Sequence, residues 1–164
     1  MHALLIMAMT IMMSNGRKDA YIISTGDNTT FSTNVDVLQA VRKRIPARSI
    51  WVRRGGREYL IVDETLLLRA VALFEPEMAL GPEQEAIGRE EEKLDREIDA
   101  LEDAPRLTTA EKRRLSELRA RQRVVEQQEK ELDEREEALD REAERQLWPL
   151  VDTAIRAGLA RPTR

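Results

Sequence analysis

The 164-residue sequence contains no cysteine, and its one histidine is His2. Without cysteine, and with the one histidine beside the initiator, thiol catalysis, Cys/His metal centres and a Ser-His-Asp triad are all effectively excluded. Aromatic residues make up only 4% of the sequence. A packed core can therefore occupy only a minority of the chain, which argues against a large single-core enzyme fold. Carboxylate-only chemistry survives this elimination, but no apolar cleft signal accompanies it.

Charge is abundant, 35% of residues against 41% apolar, and it is unevenly placed. Residues 1–76 hold 10 Lys/Arg and 7 Asp/Glu, whereas residues 77–164 hold 17 and 24. Five of the six aromatics (Tyr21, Phe31, Trp51, Tyr59, Phe74) lie before Pro76, and residues 77–147 have none. The first part can bury a core, while the second needs company. An isoelectric point near 5.3 opposes a chain-wide nucleic-acid binder without excluding a local basic patch.

The eleven residues Ala3 to Met13 form an apolar run, too short for a helix that crosses a membrane, which takes about 20 residues. The length suits the hydrophobic part of a signal peptide, but no basic residues precede it and no small-x-small cleavage site follows. Residues 1–19 are read as an apolar leader or anchor remnant, with an ordinary apolar strand or helix as the other reading. The first places the protein in the periplasm or anchored outside the cytoplasm, the second in the cytoplasm.

Residues 20–76 read as a small β-β-α-β-β-α head. Ile50 to Arg54 and Arg57 to Val62 flank Gly55-Gly56, which supply the positive φ angles of a two-residue hairpin turn. The register then sets Trp51 opposite Leu60, Val52 opposite Tyr59 and Arg53 opposite Glu58. An earlier hairpin runs from Ala20-Tyr21-Ile22-Ile23-Ser24 through Gly26-Asp27-Asn28 to Thr29-Thr30-Phe31. Thr33-x-x-Asp36 is expected to open a helix with Val35, Leu38, Val41 and Ile45 on one side, stopped by Pro46. Asp63 should cap a second helix, Glu64 to Glu75, whose stripe of Leu67, Ala70, Val71 and Phe74 ends before Pro76. At this size a core is marginal alone.

Residues 77–147 read as a charged helical hairpin. Leu80, Ile87, Leu94 and Leu101, then Leu118, Val125, Leu132 and Leu139, recur every seven positions, the spacing of a coiled-coil seam. Ile98 and Leu115 add to the seam, but Gln84, Glu91, Gln122, Glu129 and Glu136 make its companion positions polar. Pairs Glu92–Arg96, Glu117–Arg121, Glu131–Arg135 and Glu137–Arg141 have the spacing for ion pairs along each helix. The loop falls at residues 103–107 around Pro105, and Thr108-x-x-Glu111 has the form of a capping box that restarts the chain as a second helix of about 40 residues. Pro149 is expected to end that helix, leaving residues 148–164 as a short C-terminal helix and tail. The whole is an α+β chain.

Arg42, Lys43, Arg44, Arg48, Arg53, Arg54 and Arg57 fall within sixteen positions that contain no acid. They are candidate contacts for phosphate, nucleic acid, an anionic membrane or an acidic partner; a solvated face attracted to the acidic helices is the plainer reading. No aromatic stacking platform accompanies them, which makes nucleic acid the weaker option. Gly55-Gly56 lacks the Lys-Ser/Thr and following helix of a phosphate loop. Gly26-Asp27-Asn28 lacks the later ligands of a calcium loop. The runs Glu90-Glu91-Glu92 and Glu136-Glu137 read as solvated helical acids. No catalytic residue, metal or cofactor is assigned.

The stretch Ile50-Trp51-Val52-Arg53-Arg54-Gly55-Gly56-Arg57-Glu58-Tyr59-Leu60-Ile61-Val62-Asp63, followed by Leu80-Gly81, Gln84 and Ile87-Gly88, resembles the extracytoplasmic C-terminal region of BlaR-type sensor-like bacterial metallopeptidases and related envelope proteins. The end, Ile155 to Pro162, is similar as well. No His-Glu-x-x-His is present, so neither zinc nor proteolysis is carried over. The resemblance implies a bacterial, exported, non-catalytic envelope module. Together these readings lead to the expectation of a non-enzymatic protein-interaction or sensor-accessory module. It would associate with a protein partner or with itself through its stalk; the alternative is a basic face that binds nucleic acid or anionic membrane.

Overall fold

The computed structural model describes residues 19–104 and 106–163; the leader reading of residues 1–18, and the part assigned to Pro105, lie outside them. The fold is α+β. In chain order it runs β1 (Ala20–Thr25), β2 (Thr29–Ser32), α1 (Val35–Arg42), β3 (Arg48–Arg54), β4 (Arg57–Ile61), α2 (Glu64–Met78), α3 (Gly81–Glu102), α4 (Thr109–Arg156) and β5 (Ala160–Pro162). It separates into two compact units, one running up to Val71 and resuming at Trp148, the other Ala72–Leu147. The C-terminal segment thus belongs to the head unit, and the boundary falls a few residues before Pro76.

The head is a five-stranded antiparallel sheet in the order β2-β1-β3-β4-β5. Gly55 and Gly56 have φ of 58° and 79°, which only the turn between β3 and β4 requires. The register pairs Trp51 with Leu60, Val52 with Tyr59 and Arg53 with Glu58. Strand alternation then separates two faces. On one, Ala20, Ile22 and Trp51 are buried with Val41 of α1, and Phe31, Val37, Leu38 and Ile45 pack around them. On the other, Tyr21 meets Trp148 edge to face, ring centroids 6.0 Å apart, which brings the end of α4 over that side. Buried Ser24 and Ser49 do not go unsatisfied: their hydroxyls donate to the carbonyls of Ala47 and Pro46, both at 2.7 Å.

The helix boundaries depart from expectation at three places. Asn34, not Thr33, caps α1: its Oδ1 accepts from the Val37 N–H at 2.8 Å. Asp63 does cap α2, accepting from Leu66 N at 2.9 Å, but the helix continues through Pro76 to Met78. Likewise α4 does not stop at Pro149; it runs 48 residues to Arg156, so no separate C-terminal helix exists. A proline within a helix forfeits one backbone donor and crowds the preceding turn. At Pro149 the flanking Leu147 and Val151 are almost fully buried, and that packing sustains the helix. Gly158, at φ 74°, then turns the chain, with Leu159 N–H reaching the Ala154 carbonyl at 3.0 Å. That turn delivers β5, an unexpected strand, to β4 in the register Tyr59–Pro162, Leu60–Arg161, Ile61–Ala160.

In the helical unit, α3 ends with Asp103 as C-cap, and Thr108 and Glu111 form the capping box that opens α4. Leu94, Ile98, Leu118 and Val125 make its core, with Ile87, Leu101 and Leu115 packed against them. Leu80 and Leu132 are buried too; Leu139 is half-buried. The seam is therefore closed within the antiparallel pair.

Candidate interaction sites

The polar positions beside the seam are not idle. Gln84 Nε2 donates to Glu136 at 2.5 Å, and Gln122 Nε2 to Asp95 at 3.0 Å, each from one helix to the other. Two of the four expected ion pairs along the helices, Glu117–Arg121 and Glu131–Arg135, give way to pairs across them. Arg121 binds Glu90, Arg135 binds Glu83 at 3.0 Å, Arg114 binds Glu97 at 2.8 Å and Arg119 binds Glu102 at 2.6 Å. Of the four expected pairs only Glu137–Arg141 forms, at 3.2 Å, while Arg96 donates to the Glu92 carbonyl instead. Both partners were in reach of each arginine, and the antiparallel neighbour decided between them. Each exposed pair adds only a few tenths of a kcal/mol to about 1, so together they set register and direction more than stability.

Three carboxylates in this unit, Glu77, Glu91 and Glu136, are held against their preference. Glu129, with Asp95, Glu126 and Glu92 near it, raises the Glu91 carboxyl above its ordinary value. Burial, then Asp140 and Glu136, push Glu77 up to about 7, and its Oε2 is buried without a hydrogen bond from any described residue.

The seven-residue basic cluster divides in the head. Arg54 is structural: its Nε and Nη2 grip both oxygens of Asp152 at 3.1 and 3.0 Å, its Nη1 meets Asp19, and its guanidinium lies 4.8 Å from the Trp148 ring centre. Hydrogen bonding to Asp152 leads in raising its pKa. Burial opposes ionisation of Asp19, yet the Gly55 N–H at 2.8 Å and Arg54 hold that carboxyl below its usual value. Arg48 is paired with exposed Glu64 and donates to the Thr25 carbonyl at 3.2 Å.

Arg53 and Arg44 converge on one acid, Glu58, at 3.1 and 3.9 Å, with Arg53 also stacked 5.3 Å over the buried Trp51 ring. Arg42 and Lys43 are exposed beside Arg44 at the end of α1, and Arg57 is exposed at the turn. Register adds Arg161 of β5, exposed on the face of Leu60 and Trp51. Sequence reasoning passed over Arg161 because a three-residue strand containing proline carries no periodic signal; only the turn at Gly158 hinted at it. The structure thus brings Arg44 and Arg53 onto a single carboxylate, sets Arg161 on the same face of the sheet, leaves Arg42 and Lys43 exposed beside Arg44 in the chain, and diverts Arg48 and Arg54 to other acids.

Among the described residues no group of three or more His, Asp or Glu is arranged to hold a metal ion, and no helix is long and apolar enough to cross a membrane. Comparison with protein-family models, with curated proteins and with solved structures finds no match to this chain.

Proposed function

We propose that the protein is a non-enzymatic interaction module, acting as a sensor accessory of the bacterial cell envelope, in which the helical unit is the surface offered to a protein partner. The observation that carries the reading is the closure of the α3–α4 seam upon itself, with the arginine–carboxylate network turned outward. A self-closed pair keeps its fold without a partner and leaves its polar exterior for recognition, where charge complementarity sets specificity and encounter rate. Val124, 57% exposed on α4, supplies an apolar contact point amid the charges. An extracytoplasmic location, periplasmic or membrane-anchored, is supported by the resemblance described above and by the apolar run Ala3–Met13.

The test is a photo-crosslinking residue placed at Val124 in the full chain, expressed in a bacterial host and followed by cell fractionation and mass spectrometry of the adducts. A discrete adduct with another protein in the envelope fraction is expected. Absence of any adduct at Val124 and at exposed Ala120 and Ala138 would remove the reading.

A further inference from the structure

We infer that the cationic face of the head docks on the helical unit of a second copy, so that the chain assembles head to helix. The inference deepens the interaction reading above, and rests on it, by naming one partner.

The face is the part of the sheet beyond the end of α1. There Arg53 and Arg161 stand on the same side of β3 and β5 as half-buried Leu60, Arg44 reaches that side through Glu58, and Arg42 and Lys43 are exposed immediately before Arg44 in the chain. Among the described residues Glu58 is the acid they share, and it is already occupied by Arg53, Arg44 and the Thr163 hydroxyl at 3.5 Å. Among the described residues Arg42, Lys43 and Arg161 make no ion pair, so this side of the head carries positive charge beyond what Glu58 takes up.

The complement is present in the same sequence at equal concentration. The head unit has thirteen basic and seven acidic residues, a net charge of +6, while the helical unit has fourteen and twenty-four, a net charge of −10. Opposite fields of this size steer encounter and favour contacts between unlike surfaces over contacts between like ones. An extended polyanion fits less well. The face shows no open ring for bases to stack on, since Trp51 is buried beneath Arg53.

A contact between two different surfaces of identical chains does not close on itself as a two-fold dimer does; each copy retains one free head and one free helical unit. Assembly should therefore grow with concentration and dissolve with salt, because exposed charges separated by more than a Debye length are screened.

Sedimentation velocity on the full chain tests this. At about 50 mM NaCl the weight-average mass should rise steadily with concentration beyond the dimer, and at about 500 mM the apparent dissociation constant should weaken at least about tenfold. The combined variant Arg42→Glu, Lys43→Glu and Arg161→Glu, checked for an unchanged circular dichroism melt, should remain a monomer at both. Mixed with the unmodified chain it should still cap growing assemblies, because its helical unit is intact. A chain that stays monomeric at about 50 mM, a closed dimer that the triple variant leaves unchanged, or assembly only upon added DNA or anionic vesicles would overturn the inference. A protein adduct at Val124 in the absence of self-assembly would leave the broader interaction reading standing.

Discussion

The head and the helical unit bury their apolar residues in opposite ways. In the head, Tyr21, Ile22, Ile23, Ile50, Trp51, Val52 and Ile61 are at most 2% exposed, and five of the six aromatics lie in that unit. The helical unit has a thin line of buried side chains, Leu94, Ile98, Leu118 and Val125, between helices whose remaining faces are charged. One unit is held by volume packed between layers. The other is held by a narrow seam whose register is enforced by hydrogen bonds and ion pairs from helix to helix. Stability in the first should follow cavity size, and in the second it should depend more on pH.

The largest effect is expected from Trp51→Ala, which opens a cavity under α1 and should cost about 3–5 kcal/mol. Leu118→Ala in the seam should cost about 2–3 kcal/mol, less because a pair of helices can settle toward the gap. Urea melts followed by hydrogen exchange over β1–β4 and over α3–α4 would assign each loss to its unit; equal losses would break the contrast. Next comes Arg54→Met, which releases Asp19 and Asp152 to solvent and removes the cation above Trp148. A loss of about 1–2 kcal/mol is expected, confined to the head.

Glu77 and Asp19 should answer pH in opposite senses. Glu77 has a folded-state pKa raised from 4.5 to about 7, so the folded helical unit holds a proton that the unfolded chain has lost. The contribution of Glu77 to stability should therefore be fullest below pH 4.5, fall as pH rises to about 7 and level off above. Glu77→Gln should abolish that fall and stabilise the unit by about 1 kcal/mol at pH 8, allowing for partial solvent screening, with little effect at pH 4. Asp19 has the reverse sign. Its folded-state pKa is lowered, so its contribution is present above the ordinary carboxyl value of 3.8 and is lost as pH falls below it. Thermal melts between pH 3 and 8, with exchange read by unit, would show the two trends; a common trend would refute the assignment. The smallest effect belongs to Arg121→Gln, which should change stability by no more than about 0.5 kcal/mol because its pair with Glu90 is exposed.

Much of the architecture is legible wherever a local rule has one solution. Gly55-Gly56 admits one turn and hence one register, and Thr108 with Glu111 admits one helix start. The features that escaped depend on comparing a local rule with a distant contact. Pro76 and Pro149 read as stops, but a helix tolerates one lost hydrogen bond where burial on either side outweighs it. The arginines of α4 have acceptable partners four residues away, and only the position of α3 shows that Glu83 and Glu90 are preferred. The basic cluster was visible as a run of sequence, but not its division: Arg54 finds Asp152 98 positions on, and Arg161 joins from β5.

The pairing of β5 with β4 bears on how the chain reaches this state. Glu58 and Thr163 meet 105 positions apart, and the helical unit is the segment between the two parts of the head. Closing a flexible loop of that length is entropically costly and slow, whereas an antiparallel helical pair joined by a short loop forms from neighbouring residues. Once folded, such a pair returns the chain close to where it departed, and the search left to β5 shrinks accordingly. The head, though encoded first, is the part whose completion waits on the insert, and a lesion in the seam should show itself in the rate at which the sheet acquires its last strand.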